Sequence, residues 1–180
     1  MYSVDISLIK MVTDHYWIKQ DKIINKINHK GKMFFDKYER VDSTLSRSIM
    51  SNHGDGKIMV AHSIINSRDK VENIVFDYNG RNPEKFWHRA QLMLREEGFL
   101  NFTAYESKTT GHLHLYVHKG HTTLQEAYQL SKTLSAKLAM KLPREWKMIP
   151  NQDIPREFNI LNLPMKIYAK ERGASWAKHM

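Results

Sequence analysis

The sequence predicts an α+β protein with a ferredoxin-like β-α-β-β-α-β core and an α/β layer packed on it, and three observations carry that prediction. From Ile74 to Ile149 the apolar residues switch between strand-like and helix-like periods in that order. Both helices of the unit open on explicit start signals, at Asn82-Pro83-Glu84 and at Thr122 or Thr123. The composition, 41% hydrophobic and 11% aromatic with only five Pro and eight Gly, suits a real core rather than a disordered chain.

Taken in order, the first thirty residues are predicted to be helical. Lys19, Lys22, Lys26 and Lys30 recur at spacings of three and four and form one basic stripe, with Trp17, Ile24 and Ile27 on another side. The stripe is read as a solvated helix face. Lys32 to Val41 is mixed, since Phe34, Phe35 and Tyr38 follow no clean period. Ser43 is the expected cap of a short helix to Ser51, Asn52 to Gly56 a turn, and Lys57 to Ile65 a strand rich in Ile and Val.

The core then begins with a strand from Asn73 to Tyr78. In the helix after Asn82, Phe86, Trp87, Ala90, Met93 and Leu94 share one face, and Gly98 ends it. Phe99 to Tyr105 is a strand, Ser107 to Gly111 a polar loop, and His112 to His118 a strictly alternating strand. Leu113, Leu115 and Val117 occupy one of its faces; His112, His114, Tyr116 and His118 occupy the other, which is read as the solvent-facing side of an edge or half-covered sheet. A long helix to about Met140 and a strand from Glu145 to Ile149 complete the unit. One compact domain of 180 residues is expected, with an N-terminal part (1–68), the core (69–168) and a tail (169–180). Trp176 in that tail is read as docking on the core through a terminal helix, with an interaction segment as the alternative.

Several function classes fall away. There is no cysteine, so disulfide frameworks, thiolate zinc sites and thiol nucleophiles are excluded. Asp5, Lys10 and Asp14 break any signal-peptide apolar region, and no stretch approaches the ~20 apolar residues of a membrane helix. A soluble, cytoplasmic protein without a membrane partner is expected. Lys and Arg number 28 against 19 Asp and Glu, a net charge of +9. That balance favours anionic partners such as nucleotides, nucleic acid, or an acidic protein or lipid surface.

Three segments can carry chemistry. Ile74-Val75-Phe76-Asp77-Tyr78-Asn79-Gly80 is an apolar strand ending in Asp before a capped helix, a place for a hard cation or a phosphate chain, although such an Asp is more often a turn-former. Ser107-Lys108-Thr109-Thr110-Gly111-His112-Leu113-His114 is a hydroxyl-rich loop running into a strand, able to offer hydroxyls, amides and an imidazole to phosphate oxygens. Its alternating histidines also allow a metal site, but no second ligand cluster accompanies them. Ile149-Pro150-Asn151-Gln152-Asp153, followed by Phe158-Asn159-Ile160-Leu161-Asn162-Leu163-Pro164, is a loop and a short extended segment.

In this order the three segments resemble the primase-polymerase (archaeo-eukaryotic primase) superfamily over roughly residues 57–168. Its members carry a strand ending in Asp-x-Asp, a Ser-x-Gly-x-His-like loop and strand, and a third strand with an acid that leads, in several branches, into Pro-Lys-Gln and Gly-Asn-x-hydrophobic-x-Leu-Pro. Here Phe76-Asp77-Tyr78-Asn79, Thr109 to Val117, Pro150-Asn151-Gln152 and Asn159 to Pro164 stand at those places. The resemblance implies a nucleotidyl-transfer module in which carboxylates bind two divalent cations and a histidine contacts the incoming triphosphate. Three positions depart from it. Asn79 replaces the second acid, Lys147 the third, and Asn151 the lysine of Pro-Lys-Gln.

The resemblance therefore implies a protein that binds a nucleoside triphosphate or nucleic acid, with nucleotidyl transfer lost or reduced. Asp77 is the catalytic candidate. Ser107, Lys108, Thr109, Thr110, Gly111, His112, His114 and Asn159 are the nucleotide-binding candidates, with Lys119 and Lys147 as further charge partners. One Mg²⁺ or Mn²⁺ ion on Asp77 and Asn79 is the cofactor expectation. The alternatives are an active metal-dependent primase or polymerase, in which Glu145 or Asp153 supplies the missing acid, and an interaction module that keeps only the fold.

Overall fold

From Lys70 onward the apolar periods become the elements they predict, because each buries the face its period defines. In this computed structural model, which describes residues 4–172, the chain runs β1 (Tyr16–Lys19), β2 (Asn25–His29), β3 (Lys32–Asp36), β4 (Tyr38–Val41), α1 (Arg47–Gly54), β5 (Val60–Ser63), β6 (Lys70–Tyr78), α2 (Pro83–Glu96), β7 (Asn101–Glu106), β8 (Leu113–Thr123), α3 (Leu124–Ala139), β9 (Trp146–Ile149), β10 (Ile160–Asn162) and β11 (Ile167–Arg172). The protein is α+β.

A five-stranded antiparallel sheet, in the order β11-β7-β8-β6-β9, is the spine. Ala104, Leu115, Phe76 and Met148 lie side by side across it, flanked by Phe102, Val117 and Ile74 in one direction and by Leu113, Tyr78 and Trp146 in the other. That apolar face packs against Phe86, Ala90, Met93 and Leu94 of α2 and Ala127, Leu134 and Leu138 of α3. Asn82 caps α2 by accepting the Lys85 N–H, and Thr123 caps α3 by accepting the Glu126 N–H. Gly98, with φ +88°, takes the left-handed position that ends α2.

The N-terminal third departs from the helical expectation. Residues 4–15 form no regular element, and the strands that follow build the β2–β3 hairpin and, joined by β10 from the far end of the chain, a four-stranded sheet, β10-β5-β1-β4. The lysine spacing was misleading because the four lysines belong to different pieces. Lys19 ends β1, Lys22 lies in a loop, Lys26 is in β2 and Lys30 is in the hairpin turn. Lys30 and Gly31 have φ +51° and +79°, the two positive values of a type I′ turn that matches strand twist. Asn25, Ile27 and His29 are half-buried on one face of the hairpin, while Lys26 and Asn28 are exposed on the other. Period two, not 3.6, governs the segment.

Smaller corrections have equally local causes. Ser46, not Ser43, caps α1, and the helix continues through Asn52–Gly54 before turning at Asp55 and Gly56. Its His53 is fully buried, accepting the Val60 N–H at Nδ1 and donating from Nε2 to the Leu163 carbonyl, both at 3.0 Å. That bond pair ties α1 to a small core of Tyr16, Leu45, Met50, Val60 and Leu163. The strand expected over Lys57–Ile65 shortens to Val60–Ser63. The start of the expected tail instead forms β11, paired with β7 and fastened to α2 by an Arg95–Glu171 ion pair. Trp176 lies outside the described residues.

The middle of the histidine face of β8 is covered: His114 and Tyr116 are buried, while His112 and His118 are half-buried. The smaller sheet covers it: His62 of β5 stacks on Tyr116 and shares a hydrogen bond of 2.8 Å with its hydroxyl. The Tyr105 hydroxyl donates to the Asp5 carbonyl, and His118 joins Asn73 to Thr103.

Candidate functional site

Register builds the site. Directly opposed residues on neighbouring antiparallel strands put their side chains on the same face, about 4.5–5.5 Å apart at Cβ. Asp77 is opposite both His114 on β8 and Lys147 on β9, and His114 is opposite Tyr105 on β7. A polar row, Tyr105–His114–Asp77–Lys147, thus crosses the sheet on the face away from α2 and α3.

Across from this row stand Tyr38 of β4, Met59, Ala61 of β5, and Ile160 to Asn162 of β10. With Asn79, Ser107, Lys108, Thr109 and His112 they line a cleft of about 420 Å³. A second cavity of about 350 Å³ adjoins it, sharing Tyr38, Asp77, Lys147 and Ile160 and reaching Asp36, Arg144 and Phe158. Each lies within the roughly 300–1,000 Å³ typical of small-molecule sites. Gly80, which follows Asn79, is buried. A Cβ there would overlap the Tyr78 hydroxyl, which holds the Asn82 N–H, and the Glu145 carboxylate.

The electrostatics follow from burial. His114 is 4% exposed, and loss of solvent, reinforced by the neighbouring His62, His112 and His53, pushes its pKa down to about 3. The ring is therefore neutral at physiological pH. Its Nε2 lies 3.5 Å from Asp77 Oδ1, and its buried Nδ1 has no hydrogen-bond partner among the described residues. Burial raises the Asp77 pKa, opposed by the electrostatic influence of Lys147 and His112. Asp36 is raised by burial too, against hydrogen bonds from the Asn25 amide and the Tyr38 N–H. The Tyr38 hydroxyl donates to Asn162 Oδ1 at 2.6 Å, which joins β4 to β10 across the cleft.

The Ser107–His112 loop is self-bonded. Ser107 N donates to the His112 carbonyl, His112 N to the Thr109 carbonyl, and Thr109 N to Ser107 Oγ; Gly111, with φ +84°, lets the chain turn. The amides of Ser107, Thr109 and His112 are thus bonded inside the loop. What the loop presents to the cleft is side chains, above all Lys108, whose ammonium also reaches the Ile58 carbonyl at 3.4 Å and whose pKa burial lowers.

Of the sequence-selected residues, Asp77, Asn79, Ser107, Lys108, Thr109, His112, His114 and Lys147 meet in one cleft. Thr110 and Gly111 belong to the loop but do not line it. Asn159, 1% exposed, is a structural residue: its carbonyl accepts the Asn151 N–H and its amide donates to the Asn151, Pro155 and Arg156 carbonyls. Lys119 lies far along β8, away from the cleft. Glu145 meets Asn79 through its backbone carbonyl, and Asp153 pairs with Lys30 beside a separate cavity of about 280 Å³. Neither replaces a missing acid beside Asp77. Tyr38 and Asp36 were not selected, since nothing in a mixed segment marks which side chains a distant sheet will meet. Asn162 was within reach, because Ile160 and Asn162 alternate with the buried Asn159, Leu161 and Leu163.

Asp77 is the single carboxylate lining the larger cleft, and among the described residues no three His, Asp or Glu side chains gather as metal ligands. No curated protein matches the chain. Residues 1–73, which supply Tyr38, Met59 and Ala61 to the cleft but neither Asp77 nor His114, match a family described only as a domain of unknown function, DUF1882.

Proposed function

We propose that the cleft binds a nucleoside triphosphate, free or at the end of a nucleic-acid strand, on a ferredoxin-like core of the primase-polymerase kind that has lost or much reduced nucleotidyl transfer. The observation that carries this reading is convergence. Asp77, the Ser107–His114 segment and Lys147 come from separate parts of the chain and line one cavity. The order β9-β6-β8-β7, antiparallel throughout, with α2 and α3 on one face, also fits the split βαβ arrangement. In this reading Lys108 and Lys147 supply charge to phosphate oxygens, Thr109 supplies a hydroxyl, and neutral His114 offers a ring N–H from the floor.

Synthesis is expected to be lost because the carboxylates that clamp two metals are reduced to Asp77. Equilibrium binding of labelled ribo- and deoxyribonucleoside triphosphates at low salt tests the reading, beside a primer-extension assay with Mg²⁺ or Mn²⁺. Saturable binding weakened by Lys108→Ala, without extension, is the expected result. No binding of any triphosphate would overturn it, and efficient extension would overturn the claim of lost transfer.

A further inference from the structure

We propose that Lys147 does the work of a divalent cation in this cleft, so that the triphosphate is bound without a metal ion. The inference rests on the nucleotide-binding reading above and adds how the ligand's charge is met.

The donor set does not fit a divalent ion. Mg²⁺ and Mn²⁺ rely on anionic oxygens, and the cleft offers one carboxylate, Asp77, in a position where burial already disfavours its charge; Asp36, in the adjoining cavity, is likewise disfavoured by burial and accepts from the Asn25 amide and the Tyr38 N–H. Asn79 brings only a neutral amide, whose nitrogen donates to the Asp77 carbonyl. Register then puts a lysine, not an acid, on the strand next to Asp77. Lys147 is directly opposite Asp77 on the edge strand β9, and both line the same two cavities. A dication entering beside Asp77 meets the like charge of Lys147, which already acts electrostatically on Asp77.

The same arrangement suits a polyphosphate. Lys147 on β9 and Lys108 on the β7–β8 loop stand at the borders of one cleft, with His112 and His114 between them and Asp77 beside Lys147. Lysine serves phosphate as a compact point charge with three donors. Lys147 is exposed and lies on an edge strand, so its replacement leaves the core intact.

The test is isothermal titration of the protein with each of the eight common ribo- and deoxyribonucleoside triphosphates, in EDTA and in excess Mg²⁺, for wild type, Lys147→Met and Lys147→Glu. The wild-type Kd is expected to agree within about threefold between the two conditions. Lys147→Met should weaken binding tenfold or more in EDTA. Lys147→Glu should weaken it further in EDTA and regain at least tenfold with Mg²⁺, because the new carboxylate joins Asp77. Wild-type binding that strengthens tenfold or more with Mg²⁺, or a Lys147→Met protein that binds as wild type does in EDTA, would overturn the inference while leaving the nucleotide reading intact. Absence of binding by wild type in both conditions would overturn both.

Discussion

Acid should unfold this protein through its buried histidines, and His62 gives the cleanest measure. The ring is 1% exposed between the two sheets, and burial pushes its pKa from 6.5 down to about 4. The folded-state pKa lies below the unfolded one, so the unfolded chain takes up the proton first as pH falls. Stability is therefore full above about pH 7 and is lost progressively between 6.5 and 4. At pH 5 a single group with these two pKa values costs about 2 kcal/mol relative to pH 7.5. His114, held at about 3, acts in the same direction, while Asp77 and Asp36, both raised by burial, act in the opposite one. The assay is urea unfolding of wild type and His62→Gln at pH 7.5 and pH 5. The substitution also removes the stack on Tyr116, so absolute stabilities will differ. The diagnostic quantity is the change between the two pH values, which should shrink by about 2 kcal/mol in the variant. An identical pH dependence in the two proteins would mean that His62 titrates as an ordinary histidine, and the buried-neutral argument would fail for it.

Other substitutions read out separate parts of the account. Phe86→Ala removes a fully buried ring stacked on Tyr78 at 4.3 Å and packed beside Trp146, and should cost about 3–5 kcal/mol by chemical denaturation. Asn159→Ala strips the partner from the Asn151 N–H and from carbonyls of the Pro155–Arg156 turn; a loss of roughly 2 kcal/mol or more is expected, with faster proteolysis between Asn151 and Phe158. Gly80→Ala should displace the buried Tyr78 side chain, which stacks on Phe86, and the Glu145 carboxylate, and lower stability by roughly 1–3 kcal/mol, read by chemical denaturation. By contrast, Lys137→Ala breaks an exposed 2.7 Å pair with Glu97 and should change stability by less than about 1 kcal/mol.

What the sequence made legible depended on how local the cause was. Both long helices declared themselves because Asn82, Pro83 and Thr123 act on neighbours three residues away, and their apolar faces repeat over several turns. The β2–β3 hairpin did not, because Lys30-Gly31 is an uncommon way to write a type I′ turn and chance lysine spacing imitated a helix. His114 was assigned to a solvent-facing strand surface although it lies 4% exposed, since alternation defines two faces of β8 without saying what covers each one. The same limit applies to the site. Asp77, His114 and Lys147 could be selected by motif order, yet their alignment in one row depends on pairing between strands as many as 70 residues apart, Asp77 with Lys147. The wall formed by Tyr38 and Asn162 belongs to the second sheet, whose strands β5 and β10 could be read locally but whose pairing could not.

The central claim is that one cleft, floored by His114, takes a triphosphate. Its most direct test is a thermal-shift titration of wild type and His114→Ala with each nucleoside triphosphate. Ligand at 100 times its Kd stabilises a fold by about 2.7 kcal/mol, a shift easily resolved for a domain of this size. The account predicts that wild type shifts and that His114→Ala, whatever its own melting temperature, shifts much less at the same concentration. A wild-type protein that no triphosphate moves, or a His114→Ala protein that moves as far as wild type does, would contradict it.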